Sequence, residues 1–209
     1  MKVAVLGGTG SFGRALAARL AAAGEDDVVI GSRDAGRARV AAAELGGRVT
    51  GAENADAARG ADLVVLAVKA DAALETAWAV ASALGSTPLL SVASAIEVRK
   101  GAGALPDPDA RSLAERVQEV VEAPVVAGLH SVAAASLAEE QPDEDALVCG
   151  DDAGAKELAL ALAEKVVAGR ALDAGPLAGA RALEGLTAVI VNLNRRYRGR
   201  AGFRVTGIP

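Results

Sequence analysis

The apolar positions of the chain begin as a continuous aliphatic run from Lys2 to Leu6, which stops at a glycine cluster. Phe12, Leu16 and Leu20 then recur at helical spacing, so the opening reads as strand, tight turn and helix. Gly24 closes the helix, and Val28 to Ile30 form a second apolar run before Gly31, completing a βαβ unit of about 30 residues. The alternation continues with a helix over Arg37–Leu45, a strand over Leu63–Val68, a helix over Ala70–Leu84 and a strand over Pro88–Val92. These strand runs are continuous rather than alternating, the pattern of a sheet covered on both faces.

Gly, Pro and Asp dominate from Gly101 to Asp109, which predicts a loop, followed by a helix over Ala110–Glu122 and a strand over Val125–Ala127. An acidic stretch follows, in which Glu139, Glu140, Asp143, Glu144, Asp145, Asp151 and Asp152 have no intervening base. It reads as a solvated loop with helix N-cap carboxylates. A strand over Ala146–Cys149 and a helix over Ala153–Val167 come next. Leu186, Val189, Ile190 and Leu193 then predict one long helix over Leu177–Arg198, its apolar stripe packed on the sheet or on a second subunit. The expected fold is α/β, a doubly wound Rossmann-type sheet over residues 1–130. A smaller C-terminal part over 131–209 adds the acidic loop, a strand–helix pair, the long helix and a basic tail.

Composition narrows the functions. Of 209 residues 52% are apolar but only 2% aromatic, so the core is Ala, Val and Leu, and the rings of a base-stacking surface are missing. A net charge of −5 gives no general attraction for nucleic acid or anionic lipid, and neither is an expected partner. No apolar stretch approaches the roughly 20 residues of a membrane span, and the opening run is too short for a signal peptide. One cysteine, Cys149, and one histidine exclude an internal disulfide, a CxxC couple and a Cys/His zinc cage. No metal is expected, the chain reads as cytoplasmic, and Cys149 reads as a small buried hydrophobe.

The chemistry concentrates at predicted strand ends. Gly8-Thr9-Gly10-Ser11-Phe12-Gly13 matches the dinucleotide fingerprint between a strand and a helix. Gly8 is assigned the tight turn, Gly10 the close approach of a pyrophosphate and Gly13 the helix–strand packing, with Thr9 and Ser11 as hydroxyl donors. Some 20 residues on, where an NAD site carries an acid, stand Ser32 and Arg33, with Arg37 one turn further. A guanidinium fork favours the 2′-phosphate of NADP, although Asp34 argues mildly the other way. Val68-Lys69 and Ser91-Val92-Ala93-Ser94, with Ala93 among them, fall at the ends of the next strands, where the nicotinamide half of such a ligand lies. Lys69 reads either as a general acid or ligand contact, or as a solvated side chain. His130, at the end of a further strand, is placed to orient or polarise a substrate oxygen, or to pack structurally.

The runs VAVLGGTGSFGRALAARLAAAG, VVIGSRD, VVAGLHSVAAA, LVCGDD and ALDAGPLAGARALEGLTAVIVNLN together resemble the NADPH-dependent reductases of the deazaflavin coenzyme F420, over nearly the whole chain. The resemblance implies that Gly8 to Gly13, Ser32, Arg33 and Arg37 hold NADP. It implies that Leu129, His130, Ser131 and Val132 line the deazaflavin ring, with coenzyme F420 as co-substrate. The chain departs from archaeal members around Lys69–Ala72 and Ser91–Val98, where those carry prolines and an extra histidine.

The expected activity is reversible hydride transfer between NADP(H) and F420 in a homodimer. The alternatives are a small imine or ketone reductase of the pyrroline-carboxylate type and a non-catalytic NADP sensor. Arg195, Arg196, Arg198, Arg200 and Arg204 cluster in a tail without acids. They read as a cationic rim for an anionic ligand, as helix-dipole partners or as a subunit contact.

Overall fold

In the computed structural model, which describes residues 1–208, the glycine turn after β1 (Lys2–Leu6) hands the chain to α1 (Ser11–Ala23). Gly24 ends α1 in a left-handed conformation at φ 76°, its N–H reaching the carbonyls of Leu20 and Ala21. The pattern then repeats through β2 (Asp27–Ser32), α2 (Ala35–Leu45), β3 (Val49–Glu53), α3 (Asn54–Ala58), β4 (Leu63–Leu66), α4 (Ala70–Leu84) and β5 (Leu89–Ser91). A hairpin of β6 (Ile96–Arg99) and β7 (Gly103–Pro106) precedes α5 (Leu113–Gln118) and β8 (Val125–Gly128). The remainder is α6 (Ala134–Glu139), β9 (Ala146–Gly150), α7 (Ala153–Val166), β10 (Ala171–Asp173) and α8 (Ala180–Tyr197).

One eight-stranded sheet runs in the order β10-β9-β8-β5-β4-β1-β2-β3. Neighbours from β3 to β8 are parallel, whereas β9 is antiparallel to β8, Ala127 opposite Cys149, and β10 runs parallel to β9. This is the doubly wound Rossmann-type arrangement, with its reversal of strand order between β1 and β4. The last two strands of the chain extend the same sheet. Alternate residues of β1 feed two cores, Val3 and Val5 packing with Leu16, Leu20 and Leu162 on one face, Ala4 and Leu6 with Ala77, Val80 and Leu113 on the other.

Several elements carry too little apolar signal to be read from sequence. In β3, only Val49 is buried, because an edge strand needs no continuous apolar run. The β6–β7 hairpin lies outside the main sheet and packs on α8; residues 101–109, expected as loop, contain its second strand. Both α6 and β10 are short. The expected Ala110–Glu122 helix is confined to Leu113–Gln118, started by a capping box in which Ser112 and Glu115 satisfy each other's backbone N–H groups. The long helix begins only at Ala180, after a 3-10 turn over Leu177–Gly179. Its packed side is Leu183, Ala188 and Ile190, while Val189 and Leu193 of the expected stripe face outward.

The acidic stretch is a solvated cap only in part. Asp152 caps α7 through the Ala155 N–H, as expected, but Glu144 and Asp145 are buried at 3% and 2% exposure. The C-terminal tail explains why. Asp145 accepts from Arg170 and from the Val205 N–H at 2.8 and 2.9 Å, and Glu144 accepts from the Phe203 N–H at 3.3 Å. Arg200 and Arg204 pair with Glu139 and Asp143, so two of the tail arginines are engaged by the chain's own acids rather than free to form a ligand rim. No helix among the described residues is long and apolar enough to cross a membrane.

Candidate active site

Because β1, β2, β4, β5 and β8 are parallel neighbours, their carboxyl ends share one edge of the sheet, where a doubly wound fold binds its ligands. The glycines of the first turn have distinct jobs there. The left-handed residue is Gly7, at φ 80°, a correction to the assignment of the tight turn to Gly8. A Cβ on Gly8 would stand 2.9 Å from both Ile30 Cγ2 and the Val5 carbonyl, and one on Gly13 only 2.6 Å from the Gly7 carbonyl. These two are glycine so that the loop and α1 can lie against the sheet. A Cβ on Gly10 would meet only the Gly7 carbonyl, at 3.2 Å. That contact is tight, but it asks the turn to yield only a few tenths of an ångström, far less than at Gly8 or Gly13, so internal crowding accounts for Gly10 less fully than for the other two.

Gly10 is also the N-cap of α1, which has no side-chain cap and no acid in its first turn. The helix thus presents uncapped N–H groups and the positive end of its dipole beside the glycine surface, a cradle suited to a pyrophosphate. Thr9 is half-buried and Ser11 exposed on its rim, while Phe12 turns back against the core.

At the end of β2, Arg33 and Arg37 are exposed and have no acidic partner among the described residues. Asp34 does not face a ligand. Its carboxylate accepts from the N–H groups of Gly36 and Arg37 at 2.8 and 3.1 Å, capping α2, and its own N–H donates to Ser32 Oγ at 3.2 Å. The one acid that argued against a phosphate is consumed by the cap. Nearby, Asn54 is buried at 6% exposure, and its Oδ1 would lie 2.9 Å from a Cβ on Gly31 and has no hydrogen-bond partner among the described residues.

Val68 packs on the Gly7 turn, and Lys69, at the start of α4, is exposed, its side chain without a partner among the described residues. Ala93 is buried after β5. At the end of β8, Leu129, His130, Ser131 and Val132 form a packed wall, with exposures of 1%, 6%, 3% and 5%. Leu129 holds φ 62°, a strained conformation for a branched side chain, and the turn it makes is closed by the Val132 N–H on its carbonyl at 3.1 Å. Among the described residues, neither ring nitrogen of His130 has a well-formed hydrogen bond. Burial pushes the imidazole down to about 4, against a weak opposite pull from the Ala93 backbone, so the ring is neutral at pH 7. A neutral, buried imidazole is a poor proton donor.

The His130 carbonyl is held by α8. Thr187 Oγ1 donates to it at 2.7 Å and also lies 2.7 Å from Ser94 Oγ, just beyond β5. Sequence reasoning placed Ser94 at the sheet edge without a partner and missed Thr187 and Asn54; the link from Ser94 through Thr187 to His130 arises only where two strand ends and a distant helix converge. Among the described residues no group of three or more His, Cys, Asp or Glu is placed to hold a metal ion.

Residues 2–95 match the family model described as "NADP oxidoreductase coenzyme F420-dependent". The F420-dependent NADP reductase of Methanothermobacter thermautotrophicus strain Delta H is 40% identical, over 100% of this chain and 96% of that protein. The chain belongs to this family. The F420-dependent NADP reductase of Methanothermobacter marburgensis is 39% identical over the full length of both proteins. A crystal structure from Arthrobacter sp. FB24, described provisionally as an F420-dependent NADP reductase, superposes with a TM-score of 0.81, at 30% identity over 100% of both chains. Membership of the F420-dependent NADP reductases thus extends through β9, β10 and α8, beyond the part matched by the family model.

Proposed function

We propose that the protein transfers a hydride reversibly between NADP(H) and the deazaflavin coenzyme F420. The observation that carries this reading is the pairing of a Gly10 cradle, crowded only by the Gly7 carbonyl, with an Arg33 that has no acidic partner among the described residues, beside an Asp34 turned into its helix cap. The full-length relatives named F420-dependent NADP reductase supply the second substrate. The cofactors bring the reactive ring carbons, so the chain's task is to hold two flat rings roughly 3–3.5 Å apart and exclude water.

In this reading Gly8, Thr9, Gly10, Ser11, Phe12 and Gly13 seat the pyrophosphate, and Ser32, Arg33 and Arg37 hold the 2′-phosphate. Val68, Lys69 and Ala93 border the nicotinamide. Leu129, His130, Ser131 and Val132 form the wall against which the deazaflavin rests, and the neutral His130 positions that ring without donating a proton. Residues 1–130 carry the dinucleotide side, and 131–209 complete the second-substrate side. The protein works in the cytoplasm as a homodimer, without nucleic-acid partners. The acidic net charge and the sparse aromatics support the absence of nucleic-acid partners, and the outward Val189 and Leu193 of α8 support the homodimer. Mixing the protein with NADPH and oxidised F420 should bleach the deazaflavin absorbance. No bleaching with NADPH, or equal rates with NADH, would overturn the reading.

A further inference from the structure

The hydroxyl chain between Ser94, Thr187 and His130 has a direction. A carbonyl cannot donate, so the single Thr187 proton goes to the His130 oxygen, 2.7 Å away. Thr187 Oγ1 then meets Ser94 Oγ, also at 2.7 Å, only as an acceptor, and the Ser94 proton is committed to it. Ser94 is left with lone pairs and no proton. It is half-buried, one residue beyond Ala93 at the carboxyl edge of β5, so the residue lies at the edge where a doubly wound sheet receives the nicotinamide half of its ligand.

The geometry points to Ser94 as an obligate acceptor for the carboxamide N–H of the nicotinamide, with Thr187 as the positioning residue that fixes its polarity. This inference rests on the NADP reading above. The nicotinamide ring alone offers no N–H; its carboxamide does, and that group sets how the ring lies in its plane. Thr187 ties this recognition to the His130 carbonyl, next to the strained Leu129, so one residue of α8 holds both strand-end loops between which two rings must stack. The hydroxyl does so instead of bonding back to its own helix, the usual recourse of a mid-helix threonine.

The test compares binding of NADP+ and its 3-acetylpyridine analogue, which keeps a carbonyl but lacks the N–H, by titration calorimetry without F420. The wild-type chain should prefer NADP+ by roughly 3- to 10-fold, the scale of one hydrogen bond. Ser94→Ala should bring that ratio close to one. Thr187→Val frees the Ser94 proton and should also erode the ratio, whereas Thr187→Ser, which keeps the hydroxyl, should restore it. A purely structural role for Thr187 would weaken both ligands equally and leave the ratio unchanged, which would overturn the proposal. So would a wild-type protein that binds both ligands alike, or Ser94→Ala with its preference intact. If Thr187→Val does not fold, Ser94→Ala alone decides. A wild-type protein that binds neither ligand would instead bring down the NADP reading, and this inference with it.

Discussion

A methyl group added at Gly10 and one added at Gly13 should have different consequences, because the protein's own backbone crowds a Cβ severely at Gly13 and only mildly at Gly10. At Gly13 the new Cβ would sit 2.6 Å from the Gly7 carbonyl and 2.9 Å from Gly8 Cα, both backbone atoms that cannot swing away as a side chain would. Overpacking of this kind costs about 1–3 kcal/mol, and rigid neighbours favour the upper part of that range. The better helix propensity of alanine returns about 1 kcal/mol, which leaves a net loss of about 1–2 kcal/mol. For a chain of this size that lowers Tm by roughly 2–8 °C.

Gly10 sits at φ −80°, ψ 167°, open to any residue, and its Cβ would meet only the Gly7 carbonyl at 3.2 Å. Gly10→Ala should therefore lower Tm by roughly 4 °C at most, the poorer N-cap costing about 1 kcal/mol or less and the Gly7 carbonyl having to give only slightly. The pyrophosphate is where the methyl would be felt. An N–H···O bond needs about 2.9 Å, whereas a methyl group keeps its neighbours at about 3.5–4 Å. Displacing one charged hydrogen bond costs about 1.5–3 kcal/mol, or roughly 10- to 100-fold in Kd, and the cradle offers more than one. Thermal melts and NADPH titrations of both variants measure the contrast. Unchanged NADPH affinity in Gly10→Ala, or a Gly13→Ala more stable than it, would refute the division of roles.

Arg33→Ala should weaken NADPH by roughly 10- to 100-fold with little effect on NADH, and equal losses for the two cofactors would remove Arg33 from the 2′-phosphate. His130→Ala should raise the apparent KM for F420 while turnover persists. The wild-type rate should show no titration near the ordinary imidazole value, since His130 is neutral down to about 4, and a limb near pH 6.5 that vanishes in the variant would contradict this. Burial pushes the Glu144 carboxyl up to about 7, so its contribution to stability is present below the unfolded value of 4.5 and is lost as pH rises through 7. Tm should fall between pH 5 and 8, and Glu144→Gln should flatten that fall; an unaltered slope would show that the carboxyl titrates in water. Asp145 has the opposite sign, since Arg170 holds it well below the usual range and its contribution is lost only in strong acid.

What the sequence determined by itself were features whose physics is local. A continuous aliphatic run, a glycine fingerprint and an apolar repeat each carry their meaning within a few residues. For that reason β1, α1, β2, the cradle and the long C-terminal helix were legible, as was Ser32-Arg33 in place of an acid. Even there, neighbours decided the finer assignment: the left-handed residue is Gly7, and Asp34, ambiguous in sequence, belongs to a helix cap. Other features exist only because distant segments meet. Elements such as β3 and the β6–β7 hairpin need a partner strand or helix to form at all, and so leave little periodic trace. The acidic stretch and the basic tail, about 60 residues apart, are each unexplained charge until folding places Arg200 on Glu139 and Arg204 on Asp143. Ser94 lies just beyond β5, His130 just beyond β8 and Thr187 within α8, and the direction of their shared hydrogen bonds is fixed only once all three stand at hydrogen-bond distance. Hydrogen-bond polarity is a property of an assembled network, and no single residue in it carries that information along the chain.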